Sequence, residues 1–132
     1  MTRRSVFSGT SWEDQVGYAR AVAIHGQIAV SGTTAVDETG QVVGPGDPYL
    51  QTAFIFDKIF RALAELGAGP EDVLRTRMFV TNIEQWAEIA RAHREKLGPV
   101  RPAATMVEIT RLIDPRLLVE IEVDAVLPTA SP

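Results

Sequence analysis

Three kinds of side chain in this sequence could do chemistry: carboxylates repeating along a strand, two arginines able to face them, and a histidine in a helical stripe. Period-two alternation puts Glu120, Glu122 and Asp124 on one face of the last strand. The same rule groups Arg75, Arg77 and Phe79 on one face of a middle strand, with Leu74, Thr76, Met78 and Val80 on the other. On the strand before the last, Met106, Glu108 and Thr110 alternate against Val107 and Ile109. Two readings of the charged face stay open. It is a solvated surface of cross-strand ion pairs, each contributing little, or it packs against other subunits and leaves clefts where charges converge. Phe79 and Met106, interleaved with the charges, favour partial burial.

Each candidate has a chemical role and a structural competitor. Glu120 could act as a general base if burial raises its pKa, whereas a neighbouring arginine would lower it. Tyr18 and Arg20 are two residues apart, so both point one way, and either Arg20 or Arg77 could hold an anion. The competing role for both arginines is a salt bridge to an acid on the neighbouring strand. His93 falls seven residues after Trp86, within an apolar stripe. There it is a packing residue or an acid/base near neutral pH. Ser31 and Thr33 flank Gly32, where a ligand can approach the backbone closely, and Thr105 offers a further hydrogen bond. No His-Asp pair or nucleophile elbow accompanies Ser31, so serine catalysis is not expected.

These residues must be positioned by a small set of elements. Tyr18 to Ile24 and Gln27 to Val36 read as strands around a His25-Gly26 turn. Residues 37–48, with Gly40, Gly44 and Gly46 among acids and prolines, read as a loop. Asp47-Pro48 opens a helix whose stripe is Ala53, Phe56, Ile59, Phe60, Leu63 and Leu66, stopped by Gly67 and Gly69-Pro70. Val73 to Thr81 is a strand. Asn82, with Gln85 completing a capping box, starts a second helix with the stripe Trp86, Ile89, Ala90 and Leu97. Residues 104–110 and 117–127 close the chain as strands. Residues 1–16 are polar and mixed, and are expected to form an arm ordered only near the first strand. The order β-β-α-β-α-β-β predicts an α+β sandwich, a mixed sheet with both helices on one face.

The composition bounds the function. The 132 residues suit a single domain over 1–132, with 45% hydrophobic and 23% charged residues. A net charge of −4 and the lack of a basic stripe argue against nucleic acid as a partner. There is no cysteine, hence no disulfide framework and no thiolate chemistry. Two isolated histidines lack metal-ligand spacing, and no glycine-rich phosphate loop precedes a helix, so neither metal nor cofactor is expected. The first residues do not form a secretory signal and no apolar run is long enough to span a membrane, so a cytoplasmic protein without a membrane partner is expected.

Several segments, in their order and spacing, resemble the reactive-intermediate deaminase family (Rid, or YjgF) across residues 17–127. Gly17-Tyr18-Ala19-Arg20-Ala21-Val22 resembles its Gly-Pro-Tyr-Ser-Gln-Ala opening, and Val30-Ser31-Gly32-Thr33 its Ser-Gly-Gln strand end. Gln51-Thr52, Ala62-Leu63 with Gly67, and Asp72-Val73-Leu74-Arg75-Thr76 follow in step. Pro102-Ala103-Ala104-Thr105-Met106, Val107-Glu108-Ile109 and Val119-Glu120-Ile121-Glu122 match the closing strands. The resemblance implies a chorismate-mutase-like domain assembled as a homotrimer, with small-molecule clefts between subunits lined by Tyr18. It also implies that Glu120 helps position a hydrolytic water. In active members an arginine after the Pro-Ala pair grips the substrate carboxylate, and here that position is Ala104. A family asparagine on the second helix is replaced by Ala90. Alanine offers nothing to a carboxylate. The resemblance therefore implies a divergent member, not a standard 2-aminoacrylate deaminase. Two readings stay open: an enzyme hydrolysing or deaminating an imine- or enamine-type metabolite, and a non-catalytic metabolite-binding or regulatory trimer.

Overall fold

The computed structural model describes residues 2–128. Three helices and six strands follow one another as β1 (Arg4–Val6), α1 (Ser11–Val16), β2 (Ala21–Ile24), β3 (Gln27–Thr33), α2 (Pro48–Glu65), β4 (Val73–Val80), α3 (Trp86–Leu97), β5 (Ala103–Glu108) and β6 (Val119–Val126). They build one mixed sheet in the order β1-β2-β3-β6-β4-β5, in which only β4 and β5 run parallel. The α+β sandwich expected from the element order is present.

Local chemistry explains the boundaries. His25 and Gly26 both take positive φ, 54° and 78°, which matches the twist of the β2–β3 hairpin. The Asp47 side chain accepts the Leu50 amide at 3.0 Å and caps α2, with Pro48 in the first turn, where its missing N–H costs nothing. Ile55, Phe56, Ile59 and Leu63 of α2 are fully buried, as are Val119 and Ile121 of β6; Val123 and Ala125 are nearly so. That alternation leaves Glu120, Glu122 and Asp124 on the opposite, open face. At about 25 cal/mol per Å2 of apolar area removed from water, this layer between helix and sheet is the main source of stability.

Several expectations are corrected. Residues 4–16, expected within an arm ordered only near the first strand, form a strand and a helix of their own. β1 pairs with β2 from Arg4↔Ala23 to Val6↔Ala21, and α1 buries Glu13. β2 begins only at Ala21, so Tyr18 and Arg20 lie in the segment entering it. Leu74 is 61% exposed because a bulge between Val73 and Arg75 turns it out of the core face. Met106 pairs with Met78 and packs against the core, so it belongs to the helix side and not among the charges. Asn82 caps a single 3-10 turn, Ile83–Gln85, by accepting the Glu84 amide, and Gln85 completes no capping box. Trp86 is 58% exposed, and α3 buries Ile89, Ala92 and Leu97.

Candidate functional site

A cluster of polar side chains forms where β3 ends. The β3–β6 register shifts between Val30 and Thr33, and this irregularity brings Gly32 against the Glu120 side chain. A Cβ on Gly32 would stand 2.9 Å from Glu120 Cδ, so only glycine lets the carboxyl lie on the backbone here. Glu120 is half-buried. Desolvation raises its pKa; Arg20 opposes that shift and Glu122 adds to it, leaving the carboxyl above its ordinary range.

Arg20 is the hub of this cluster, with only 7% of its surface exposed. Nη1 donates to Gly32 O at 2.7 Å and to Thr33 Oγ1 at 3.0 Å, and Nη2 donates to Tyr18 Oη at 3.2 Å. Its Nε lies 3.7 Å from Glu13 Oε2 and makes no hydrogen bond. Burial pushes the Glu13 pKa up, but the Ser8 hydroxyl and amide together with Arg20 outweigh it and hold the carboxyl below its ordinary value. The salt-bridge competitor foreseen for Arg20 is thus present, with an acid of α1 instead of a neighbouring strand. Ser31 Oγ donates to Ala19 O at 2.7 Å, and Thr33 Oγ1 donates to Ser31 O at 2.8 Å. Both hydroxyls are held by the backbone.

Beside this cluster the open face carries a depression of about 660 Å3, lined among others by Tyr18, Ser31, Glu13, Arg77, Glu122 and Asp124. Arg77 pairs with Asp124 at 3.1 Å and Glu122 at 3.4 Å, so its charge is already answered within the chain. Thr105 pairs with Arg77 across the parallel β4–β5 register and therefore looks to this same face.

The remaining candidates lie on the other side of the sheet. His93 Nε2 is 2.9 Å from Thr76 Oγ1, and its ring stands edge-on to Phe56 with centroids 5.5 Å apart. Burial lowers its pKa, which keeps the imidazole neutral near pH 7. Ala104 pairs with Thr76 and Met106 with Met78, so both look to the helix side. Tyr18, Arg20, Gly32, Thr33 and Glu120 are therefore brought together, and His93, Ala104 and Met106 form a separate group behind the sheet. Glu120 and His93 of one chain do not face a common ligand.

Sequence reasoning missed Glu13, Thr76 and Lys58. Lys58 donates to Thr34 O and Val36 O, each at 2.9 Å, and desolvation, with Arg20 and Arg61 nearby, lowers its pKa to about 8. It ties α2 to the chain leaving β3, one layer behind the Gly32 cluster. Its position within the amphipathic α2 pattern gave no such signal, and Glu13 gave none because its partner Arg20 is found only in the fold. Among the described residues no group of histidine, aspartate and glutamate could hold a metal ion, and no helix is long and apolar enough to cross a membrane.

Comparison with known proteins places this geometry. The family profile described as Endoribonuclease L-PSP matches residues 10–127. An uncharacterized protein of Streptomyces coelicolor, SCO2049, is 42% identical over 122 residues, covering 92% of this chain and 90% of the relative. A RutC family protein of Synechocystis, slr0709, is 31% identical over 85% of this chain and 87% of its own length. Among solved structures, Rv2704 of Mycobacterium tuberculosis, described as a member of the YjgF/YER057c/UK114 family, superposes with a TM-score of 0.88 at 43% identity. That superposition covers 96% of this chain and all of the other. NMB1025 of Neisseria meningitidis, of the YjgF family, gives a TM-score of 0.81 at 30% identity, with 98% of each chain covered. Such membership supports a small-molecule-binding role at the level of the family. With the profile spanning nearly the whole fold and these relatives matching end to end, the chain belongs to the Rid/YjgF (endoribonuclease L-PSP) family.

Proposed function

We propose that this protein is a homotrimer with a small-molecule cleft between subunits at the Glu120 end of the sheet. There it hydrolyses or deaminates an imine- or enamine-type metabolite without the arginine clamp on a carboxylate. The observation that carries this reading is the Glu120 carboxyl, half-buried on Gly32 beside Arg20 and Tyr18, with burial raising its pKa, the direction a general base needs. In the proposed step Glu120 accepts a proton from water as its oxygen bonds to the C=N carbon. The nitrogen takes up a proton from solvent to give a carbinolamine. Glu120 then returns its proton to that nitrogen as the C–N bond breaks, and the hydroxyl loses its proton to solvent, leaving ammonia and a carbonyl product. Tyr18 and Gly32, fixed by Arg20, form the rigid wall that orients the substrate.

Association through the open face is supported by its composition. Phe79 and Val107 lie in the same sheet row as Glu120, and Val107 is 42% exposed. Apolar groups interleaved with paired charges suit a subunit interface better than bulk water. The nuclease activity in the family description suits this chain less well, because four carboxylates line the depression and the net charge is −4.

One observation favours the alternative, a non-catalytic metabolite-binding or regulatory trimer. On Glu120's own face Glu122 and Asp124 are paired with Arg77 and the Tyr18 hydroxyl accepts from Arg20, while His93 lies behind the sheet. The test is twofold. Light scattering must give three chains per particle, and ammonia release from freshly generated imines must fall at least ~100-fold in Glu120→Gln, the scale of a lost general base. Ligand binding with no turnover would establish the alternative. A rate on 2-aminoacrylate equal to that of an active family member would overturn the reading of Ala104.

A further inference from the structure

The β5 edge and α3 carry a second set of polar groups whose chemistry differs from the Glu120 end. Trp86, Ala90 and His93 recur at i, i+4 and i+7, so they share one stripe of α3. His93 bridges this stripe to the sheet through Thr76, and Ala104 sits beside Thr76 on the neighbouring strand, exposed. Alanine leaves open the space next to the His93–Thr76 pair. The His93 side chain is partly exposed, and among the described residues its Nδ1 atom has no hydrogen-bond partner, which leaves that nitrogen for a ligand. From Pro102 to Val107 the strand carries no charged side chain. The nearest charges on it are Arg101, which precedes the strand with φ 52°, and Glu108, whose carboxylate accepts the Ile83 amide.

We propose that His93, held by Thr76, contacts the part of the ligand lying over Ala104, and that this part is an uncharged hydrogen-bonding group, an amide or carbonyl, not a carboxylate. The inference rests on the intersubunit cleft proposed above. Because Glu120 faces the open side and His93 the helix side, a ligand touching both must lie between two copies of the chain. A carboxylate placed against Ala104 would lose its hydration with no guanidinium to replace it. A neutral amide meets an imidazole whose Nε2 is held by the buried Thr76 hydroxyl, and the other ring nitrogen can donate or accept, since tautomer and rotor adjust to the partner. Desolvation holds the His93 pKa down, in keeping with a neutral ring at this position.

The test uses the full chain labelled with 15N. There are only two histidines, and His25 lies exposed in the β2–β3 turn, so it serves as an internal control. The imidazole nitrogens are followed by long-range 1H–15N NMR while propionamide or propionate is titrated in. Propionamide is expected to shift the His93 nitrogens saturably and leave His25 unchanged, with propionate about tenfold or more weaker. Ala104→Arg should reverse that preference by supplying a bidentate cation. The inference is overturned if propionate binds as well as propionamide, if neither moves His93, or if Ala104→Arg leaves the preference as it was. It also falls if propionate binds through Arg101 and loses affinity in Arg101→Gln. A failure in any of these with the trimer and the Glu120-dependent turnover intact removes only the neutral-group assignment. Loss of trimer or turnover in the unaltered protein removes the underlying reading instead.

Discussion

The two faces of the sheet organise polar groups in opposite ways. At the end of β3, Arg20 is surrounded by partners: a carbonyl and two hydroxyl oxygens accept from its Nη atoms, and the Glu13 carboxylate lies 3.7 Å from its Nε. At the β5 edge one imidazole holds one hydroxyl, and the strand beside it has no charge over six residues. The first arrangement is rigid and fixes the Glu120 carboxyl on Gly32. The second leaves an imidazole nitrogen without a partner among the described residues. A buried arginine therefore shapes the candidate site, and in the proposed reading the ligand contacts fall to weaker donors. This reverses the use of arginine implied by the family resemblance, in which the guanidinium grips the substrate.

The largest expected break in this contrast is Arg20→Met. It leaves Glu13 buried without its cation, and the loss of one partner from a buried pair costs about 3–5 kcal/mol. Urea unfolding should show that loss as a lower midpoint at unchanged m, and the paired variant Arg20→Met with Glu13→Gln should recover part of it. Recovery of nothing would mean that the hydrogen bonds to Gly32, Thr33 and Tyr18 outweigh the ion pair. Next comes Gly32→Ala. The new methyl would stand 2.9 Å from Glu120 Cδ, so the carboxyl must move, costing about 1–3 kcal/mol as overpacking does. Hydrolysis should fall in step with Glu120→Gln, and a Gly32→Ala protein with full activity would show that the seat of Glu120 is unimportant.

The pH dependence separates the faces without disturbing packing. Glu120 has a raised folded pKa, so its contribution is full below the unfolded carboxylate pKa and is lost as pH rises through the folded value. Glu120→Gln should therefore flatten the decline in stability above about pH 4.3. His93 has a lowered folded pKa. Its neutral form is favoured by folding, so its contribution is full above about pH 6.5 and disappears as pH falls through the lower folded value. His93→Gln should remove stability loss only on the acid side of neutrality. Melting temperatures across pH 4 to 8 would show whether the two variants change the slope of stability with pH in opposite senses; changes of the same sign would contradict the two opposed shifts.

Much of the fold was legible because its patterns are local. Val119, Ile121, Val123 and Ala125 alternate against three acids, and His25-Gly26 and Asp47-Pro48 carry their own turn and cap chemistry. What failed depended on register between strands. Nothing in the alternation of Met106 and Val107 says which of them shares a face with Arg77, because that parity is set by the pairing of β5 with β4. Leu74 left the core through a bulge that one strand alone does not announce. For the site, the resemblance pointed to Tyr18, Gly32 and Glu120, which the structure brings together. The roles of Arg20 and Glu13 were hidden because a buried ion pair joins segments that are polar and unpatterned when read singly.

The finest distinction between the faces rests on Thr76, which is fully buried and whose hydroxyl, among the described residues, meets His93 Nε2 alone. Thr76→Val keeps the shape and removes that partner. Expected is a loss of about 1 kcal/mol, the net worth of one neutral hydrogen bond, well below the cost at Arg20. The readout that decides its role is the imidazole itself. With Thr76 present the ring has a fixed orientation, and its two nitrogens should give distinct 15N shifts reporting one dominant tautomer. In Thr76→Val the shifts should converge as the tautomers equalise, while the environment of Glu120 on the other face stays as it was. A single unchanged tautomer would mean that packing against Phe56 alone orients His93, and the hydroxyl would then be a satisfied core group with no part in the site.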